Sequence, residues 1–214
     1  MKKILGATLG LLIMLAPLVA AKENLPDPGV KPGDFLYGFD RALEGLQLTF
    51  AFDKVSKARL HYQFAEERLA EVQALSEDGK MDLAEATLND YEDELAKTNM
   101  DLETAVASGE NPESLTNEIS ERSFLHVKVL TNVHAIVPEQ AKLRIQQVIE
   151  RSLESQGNAV RHVDNKDVVT TTVAVGNELI TVEVPAEIAE RISEGAEAVP
   201  LEVHQPIDTT AIGS

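Results

Sequence analysis

Apolar residues in the middle of the chain recur at intervals of three and four, the spacing that predicts amphipathic helices. Two such series flank Asp78-Gly79-Lys80, and both alternate three and four as a heptad repeat does. The first series is Val55, Ala58, Tyr62, Ala65, Leu69 and Val72, and the second is Met81, Ala84, Leu88, Tyr91, Leu95, Thr98, Leu102 and Ala105. Gly79 allows a reversal between them. We therefore predict an antiparallel coiled-coil hairpin, whose first seam is widened toward further helices by Leu60, Phe64 and Leu75.

Further helices are predicted on both sides of this hairpin. Asp34 is a good N-cap for a short amphipathic helix before it, and we expect that helix to bury its apolar face against a longer one. Pro112 suits the first turn of a helix after it. Pro138 ends this helix and starts another that runs to Gly157. The fold class is therefore mainly α, with the hairpin inside a four- to five-helix bundle over residues 34–157.

A β-hairpin is predicted after the bundle, within residues 166–195. Val168 to Val175 and Glu178 to Val184 are rich in β-branched residues, and they flank Gly176-Asn177, a two-residue turn signal. Closing that turn pairs Val169 with Val184, Thr171 with Val182, Val173 with Ile180 and Val175 with Glu178. This register places an apolar face on one side, which must pack on helices or on another chain. Pro185 starts a short helix that ends at Gly195, and residues 196–214 are predicted to be a flexible tail.

The N-terminus has the pattern of a secretory signal peptide. Lys2 and Lys3 precede an apolar run from Ile4 to Val19, and Val19-Ala20-Ala21 supplies small residues for cleavage. We therefore predict a signal peptide over residues 1–21, an extended Pro-rich leader over 22–33 and a mature protein that is secreted to the periplasm or cell surface. An uncleaved anchor is the alternative, because Ile4 to Ala21 is at the lower length limit for a membrane span.

Composition narrows the partners of the mature protein. The chain has 36 acidic residues against 19 Lys and Arg, a formal net charge of -17, and no cysteine. Such a charge repels phosphate backbones, so nucleic acid is not an expected partner. No second apolar stretch is long enough for a stable membrane span after signal cleavage. Without cysteine, neither disulfides nor thiolate metal sites are available.

Several short motifs resemble one family of exported proteins. They are Leu25-Pro26-Asp27-Pro28-Gly29, Lys31-Pro32-Gly33-Asp34 with Tyr37 and Arg41-Ala42, then Ala58-Arg59-Leu60-His61, Phe64 to Glu71, and the corner Val137-Pro138-Glu139-Gln140-Ala141. Residues 25–153 resemble a family of archaeal and bacterial proteins catalogued only as a domain of unknown function, the five-six-six-seven family. The resemblance implies a helical extracytoplasmic domain. It implies no activity, and the β-hairpin lies outside it.

Candidate chemistry is sparse. His61, His126 and His134 are weak metal candidates, because none forms the i, i+4 histidine pair of a helical zinc site. Glu66, Glu67 and Arg68 lie outside the heptad seam and are typical of a solvated face. Arg122 interrupts an apolar seam, and we interpret it as an ion-pair partner of a nearby Glu. No nucleophile or phosphate-loop motif is present, so we expect a non-enzymatic protein with no cofactor.

Protein recognition in the cell envelope is the function that this pattern favours, either by self-association or by docking on another envelope protein. The predicted contact surfaces are the apolar residues of the helical hairpin that the bundle does not bury, and the edges of the β-hairpin. Their candidate residues are Leu60, Phe64, Val173, Ile180 and Val182. The alternative is a periplasmic, stress-related protein that is chaperone-like or binds metal.

Overall fold

Five consecutive helices are followed by a β-hairpin and a sixth helix. The computed structural model describes residues 24–161, 168–176 and 178–198. The helices are α1 (Tyr37–Phe50), α2 (Lys54–Glu77), α3 (Met81–Ala107), α4 (Glu113–Ile136), α5 (Glu139–Arg161) and α6 (Ala186–Ala198). The strands are β1 (Val168–Val175) and β2 (Glu178–Pro185). The predicted fold class, mainly helical with a C-terminal β-hairpin and short helix, is confirmed.

Helices α2 to α5 form a four-helix bundle made of two antiparallel hairpins. Helix α2 packs on α3 and α4, while α5 packs on α4 and α3. Asp53 caps α2 by accepting a hydrogen bond from the Ser56 amide at 2.7 Å. Gly79, with φ of 71°, makes the reversal between α2 and α3 in the left-handed region that favours glycine. Nearly every member of the two heptad series is buried, so the predicted seams face the core.

The β-hairpin covers the bundle on the side of α5. Its register is the predicted one, with Val169 paired to Val184 and Val173 paired to Ile180. The valines of one face are buried in the same core cluster as the helices; they are Val173, Val175, Val182 and Val184. Strand β2 packs on α5, while α6 contacts both strands and α4. Most of the apolar face of the hairpin is therefore buried within the chain, while Val169 is 37% exposed.

Three element boundaries differ from the sequence prediction. Helix α1 begins at Tyr37, because the Asp34 carboxylate accepts from the Lys31 amide at 3.0 Å and closes a turn instead of capping the helix. Helix α5 continues past Gly157 to Arg161. A Cβ at Gly157 would lie 3.1 Å from Pro185 Cδ, so this glycine permits close packing of β2 rather than ending the helix. Helix α6 runs past Gly195 to Ala198.

The predicted signal peptide, residues 1–21, and residues 199–214 of the predicted tail lie outside the described residues. Among the helices that the structure does describe, none combines the length and the apolar character needed to cross a bilayer.

Candidate interaction surface

Helix α1 turns its charged side toward the bundle and its apolar side to the solvent. Seven large apolar side chains are exposed in this segment: Phe35, Leu36, Phe39, Leu43, Leu46, Phe50 and Phe52. We call these residues the outer face of α1. Phe35 and Phe52 are 100% and 90% exposed, whereas Glu44 on the opposite side is only 7% exposed. Every position from 35 to 52 is described, and none of the exposed ones carries a charge. The expectation that α1 buries its apolar face within the chain is therefore wrong.

Arg68 of α2 explains this orientation. Its side chain is fully buried, and its guanidinium lies 2.5 Å from Glu44 Oε1 and 3.3 Å from Glu71 Oε1. It also donates to the Tyr37 hydroxyl at 2.7 Å. Arg41 of α1 pairs with Glu44 as well. A buried guanidinium needs such counter-charges, and α1 supplies them only when its charged side faces α2.

Acidic side chains outnumber basic ones in this network. Burial, opposed by the charge of Arg68, raises the pKa of Glu71 to about 7. Burial and the nearby Glu44 carboxylate raise the pKa of Glu67 to about 7. Burial also raises the pKa of Glu44, although Arg68 and Arg41 oppose this. The attachment of α1 to α2 therefore depends on the protonation of these carboxyl groups as well as on ion pairs.

The expectation that Glu66, Glu67 and Arg68 share a solvated face is wrong for two of them, because Glu66 is 7% exposed and Arg68 is fully buried. The heptad seam places Arg68 away from α3, as predicted, but α1 covers that side of α2 with charged side chains. A signal for this was present in the sequence, since Asp40, Arg41 and Glu44 lie on one side of α1.

A second polar network lies in the core and joins all four bundle helices. The Tyr91 hydroxyl of α3 lies 2.9 Å from His126 Nδ1 of α4 and 2.5 Å from Ser152 Oγ of α5. The ring of Tyr62, from α2, stacks on the His126 ring with centroids 5.5 Å apart. All four residues are fully buried. Such a network fixes which helix faces meet, because a shift would leave polar atoms without partners.

Glu66 and Arg122 extend this network toward the surface. Arg122 donates to Glu66, as the sequence predicted for an Arg in an apolar seam, and His126 Nε2 lies 3.5 Å from the same carboxylate. Burial would raise the pKa of Glu66, but the hydrogen bonds and charges of His126 and Arg122 hold it below its ordinary value. Burial raises the pKa of Tyr91 far above its ordinary range. These groups therefore have structural partners within the bundle.

The other two candidate histidines also have partners within the chain. His61 Nδ1 lies 2.7 Å from Glu94 Oε2 on α3. His134 Nε2 lies 3.3 Å from Gln146 Nε2, and its ring is close to the turn at Gly176. Among the described residues, no three His, Asp or Glu side chains are grouped so that they could hold a metal ion. His61 and His126 thus join different networks rather than one site.

The residues predicted to contact a partner lie in or beside the core. Phe64, Val173 and Val182 are 3%, 6% and 5% exposed. Leu60 and Ile180 are half-buried, and Ile180 packs against the core cluster. Their role in partner binding stays a prediction, but the large exposed apolar surface lies on α1 instead.

A groove of about 280 Å³ lies between the α2–α3 turn and the α4–α5 corner. Its lining includes Val137, Pro138 and Ala141 of the corner motif, with Arg144 at its edge. Arg144 already pairs with Glu92 at 2.6 Å. The other polar residues of the lining are Ser76, Asp82, Glu85 and Gln140.

The motifs noted above extend across the region that matches a known family. The profile of the family described as Domain of unknown function (DUF5667) matches residues 29–140, more than half of the chain. The chain belongs to this family. The DUF5667 region contains α1 to α4 and the Pro138 corner, so both the outer face of α1 and Arg68 lie within it. No curated protein and no solved structure is significantly similar to the chain.

Proposed function

We propose that this chain is a non-enzymatic protein-interaction module of the cell envelope, and that the outer face of α1 is its binding surface. The observation that carries the proposal is the exposure of four phenylalanines and three leucines on one short segment. Monomeric soluble proteins rarely expose a contiguous apolar patch above roughly 300–600 Å². With aromatic side chains contributing about 150–250 Å² each, the outer face of α1 exceeds that range.

The attachment of α1 supports recognition rather than incomplete folding. Its inner side is held by a fully buried Arg68, with Glu44 and Tyr37 as partners. A helix held by buried charge pairs has a defined orientation, because rotating it would separate Glu44 and Tyr37 from the buried Arg68. The outer face is thus presented on a fixed helix, which lowers the entropic cost of binding.

The site of action is proposed from the N-terminal pattern of Lys2, Lys3 and the apolar run that follows, which is typical of export. The heptad spacing of α2 and α3 further supports coiled-coil packing of the hairpin that carries α1. Leu60, which is half-buried on α2, stays a candidate contact residue of the helical hairpin.

A chaperone-like role is the second candidate, and the same exposed aromatic face favours it. Phenylalanines surrounded by an acidic protein would hold unfolded chains while keeping the complex soluble. This role predicts many unrelated clients, whereas a recognition module predicts one dominant partner. No grouping of ligands among the described residues supports the metal-binding alternative.

The test is crosslinking in intact cells, followed by isolation of the tagged chain and mass spectrometry of what it captured. Phe39→Asp is compared with Leu143→Asp, because these side chains are 65% and 64% exposed and lie on α1 and α5. We expect Phe39→Asp to lose the dominant partner and Leu143→Asp to retain it. Circular dichroism checks that both variants fold.

Equal capture by the two variants would overturn the proposal. A spread of clients that Phe39→Asp alone reduces would favour the chaperone-like role instead.

A further inference from the structure

We propose that the outer face of α1 binds the outer face of α1 in a second copy of this chain, as two antiparallel helices related by a two-fold axis. This inference rests on the proposed function, and it names the partner of the same surface. Four observations carry it: the size of the face, a stripe of small residues beside it, its lack of exposed charge and the poor match of α1 to a lipid surface.

The size of the face matches what a stable dimer needs. Seven side chains are 40% to 100% exposed, and four of them are phenylalanines. At about 200 Å² per large side chain, the face offers on the order of 900 Å². A standard interface buries about 800 Å² on each partner. Helix α1, together with Phe35 and Leu36 before it and Phe52 after it, therefore presents enough apolar surface to serve as half of a specific interface.

Small residues form a stripe along the same side of α1. Gly38, Ala42 and Gly45 are exposed at i, i+4 and i+7, directly beside Phe39 and Leu46. A Cβ at Gly38 or Gly45 would meet nothing within 4 Å, and neither glycine has a positive φ. No contact within the described chain thus requires glycine there, although glycine weakens a helix interior.

A stripe of small residues next to a ridge of large ones fits another helix. Glycine and alanine let two helix backbones approach closely, while the flanking large side chains fill the space beside the crossing. A two-fold interface requires one surface to complement itself. If Ala42 lies near the two-fold axis, the large side chains of each α1 pack against Gly38, Ala42 and Gly45 of the other copy. The two helix dipoles are then antiparallel, which is their favourable arrangement.

Charge limits where two copies can meet. A formal net charge of -17 makes most surfaces of one copy repel another. The outer face is free of exposed charge, and its exposed flanks Asp34 and Asp53 lie at the two ends. Pairing through α1 therefore keeps the exposed acidic side chains out of the centre of the contact.

The composition of α1 argues against a lipid surface as the occupant. Helices that lie in a membrane interface carry Lys and Arg on the polar face. The polar side of α1 has one basic residue, Arg41, and that residue is paired with Glu44. This side also packs on α2 and is not directed toward a membrane surface.

The absence of cysteine from the whole chain permits a direct test in cells, because a single introduced thiol crosslinks only to another molecule. Ala42→Cys is made in the full chain and oxidised with copper phenanthroline, with Leu143→Cys on exposed α5 as the matched control. We expect a dimer at twice the monomer mass from Ala42→Cys and not from Leu143→Cys. Adding Gly45→Leu to Ala42→Cys should reduce that dimer about tenfold. The leucine would overpack the contact between the two α1 helices, whereas within one chain a Cβ at position 45 meets nothing within 4 Å.

The other outcomes separate the two proposals. A disulfide between Ala42→Cys and a different protein overturns self-pairing and keeps the proposed function. Equal dimer from the control, or no effect of Gly45→Leu, overturns the two-fold contact at α1. No crosslink from Ala42→Cys also overturns self-pairing, and the Phe39→Asp capture experiment then decides whether α1 binds any protein.

Discussion

Arg68 Nη2 lies 2.5 Å from Glu44 Oε1, and both side chains are almost entirely excluded from water. This contact joins α1 to α2 and determines which side of α1 faces the solvent. Because the buried guanidinium attracts the charged side of the helix, the phenylalanines and leucines of the outer face are left exposed. The buried Arg68–Glu44 ion pair thus accounts for the solvent exposure of the outer face of α1.

Removing the guanidinium tests this relationship. Arg68→Met leaves Glu71 buried without its close counter-charge and leaves Glu44 with Arg41 alone, so we expect a loss of about 3–5 kcal/mol in the free energy of unfolding. Urea denaturation measures this loss, and limited proteolysis reports release of α1. Arg151→Met is the control, since that arginine is 56% exposed and pairs with Glu92 at the surface. Its expected cost is about 0–1 kcal/mol. Equal costs for the two variants would contradict the role of Arg68.

The same network predicts a pH dependence. The pKa values of Glu67 and Glu71 are raised to about 7, and that of Glu44 is raised too. Between about pH 4.5 and 7 the folded chain therefore binds more protons than the unfolded chain does. The stability that Glu44, Glu67 and Glu71 contribute in this way is fully present below their unfolded pKa, about 4.5. It is lost as the pH rises through the folded pKa values, which are about 7 for Glu67 and Glu71.

Urea midpoints at pH 5, 6, 7 and 8 measure this dependence. We expect the midpoint to fall as pH rises, most steeply between pH 5 and 7 and less steeply between pH 7 and 8. The net charge of -17 contributes in the same direction, so Glu71→Gln is the comparison that isolates the network. That variant should show a shallower decline, and an unchanged slope would contradict the assignment.

The bundle and the β-hairpin were predictable because their patterns are local. The spacing of Ala58, Tyr62 and Leu69 sets the seam of α2, and Gly176-Asn177 fixes the hairpin register. The orientation of α1 was not predictable in this way. Apolar periodicity shows that a helix has two sides, but which side faces the protein depends on what the neighbouring element buries. Here Arg68 determines which side of α1 faces the protein, and a heptad pattern does not reveal that Arg68 is buried.

Gly157 and Gly45 differ in a way that only the structure reveals. A Cβ at position 157 would press on the rigid ring of Pro185, whereas position 45 has open space within the chain. We expect Gly45→Ala to stabilise the monomer by about 0.5–1 kcal/mol through helix propensity, and Gly157→Ala to give no gain or a loss. Thermal unfolding in dilute solution compares them. A matching gain at both positions would show that β2 does not pack closely on α5.

The buried hydroxyl of Tyr91 is expected to contribute to stability. Tyr91→Phe removes a partner of both His126 and Ser152, at a cost of about 1–3 kcal/mol, because His126 Nδ1 is left unpaired in the core while Ser152 keeps only Gln156. Tyr62→Phe is the matched variant, because its hydroxyl lies farther from His126, at 3.4 Å. We therefore expect a smaller loss for Tyr62→Phe in urea denaturation. The reverse order would contradict a network centred on Tyr91.

Solvent accessibility of α1 in living cells tests the central claim most directly. Leu46→Cys and Leu143→Cys are labelled with a membrane-impermeant maleimide in intact cells and again in the isolated monomer. Both positions are exposed in the chain alone, at 49% and 64%. If a partner covers the outer face of α1, Leu46→Cys is labelled slowly in cells and rapidly in the monomer, while Leu143→Cys is labelled rapidly in both. Rapid labelling of Leu46→Cys in cells would contradict the claim that α1 is a binding surface.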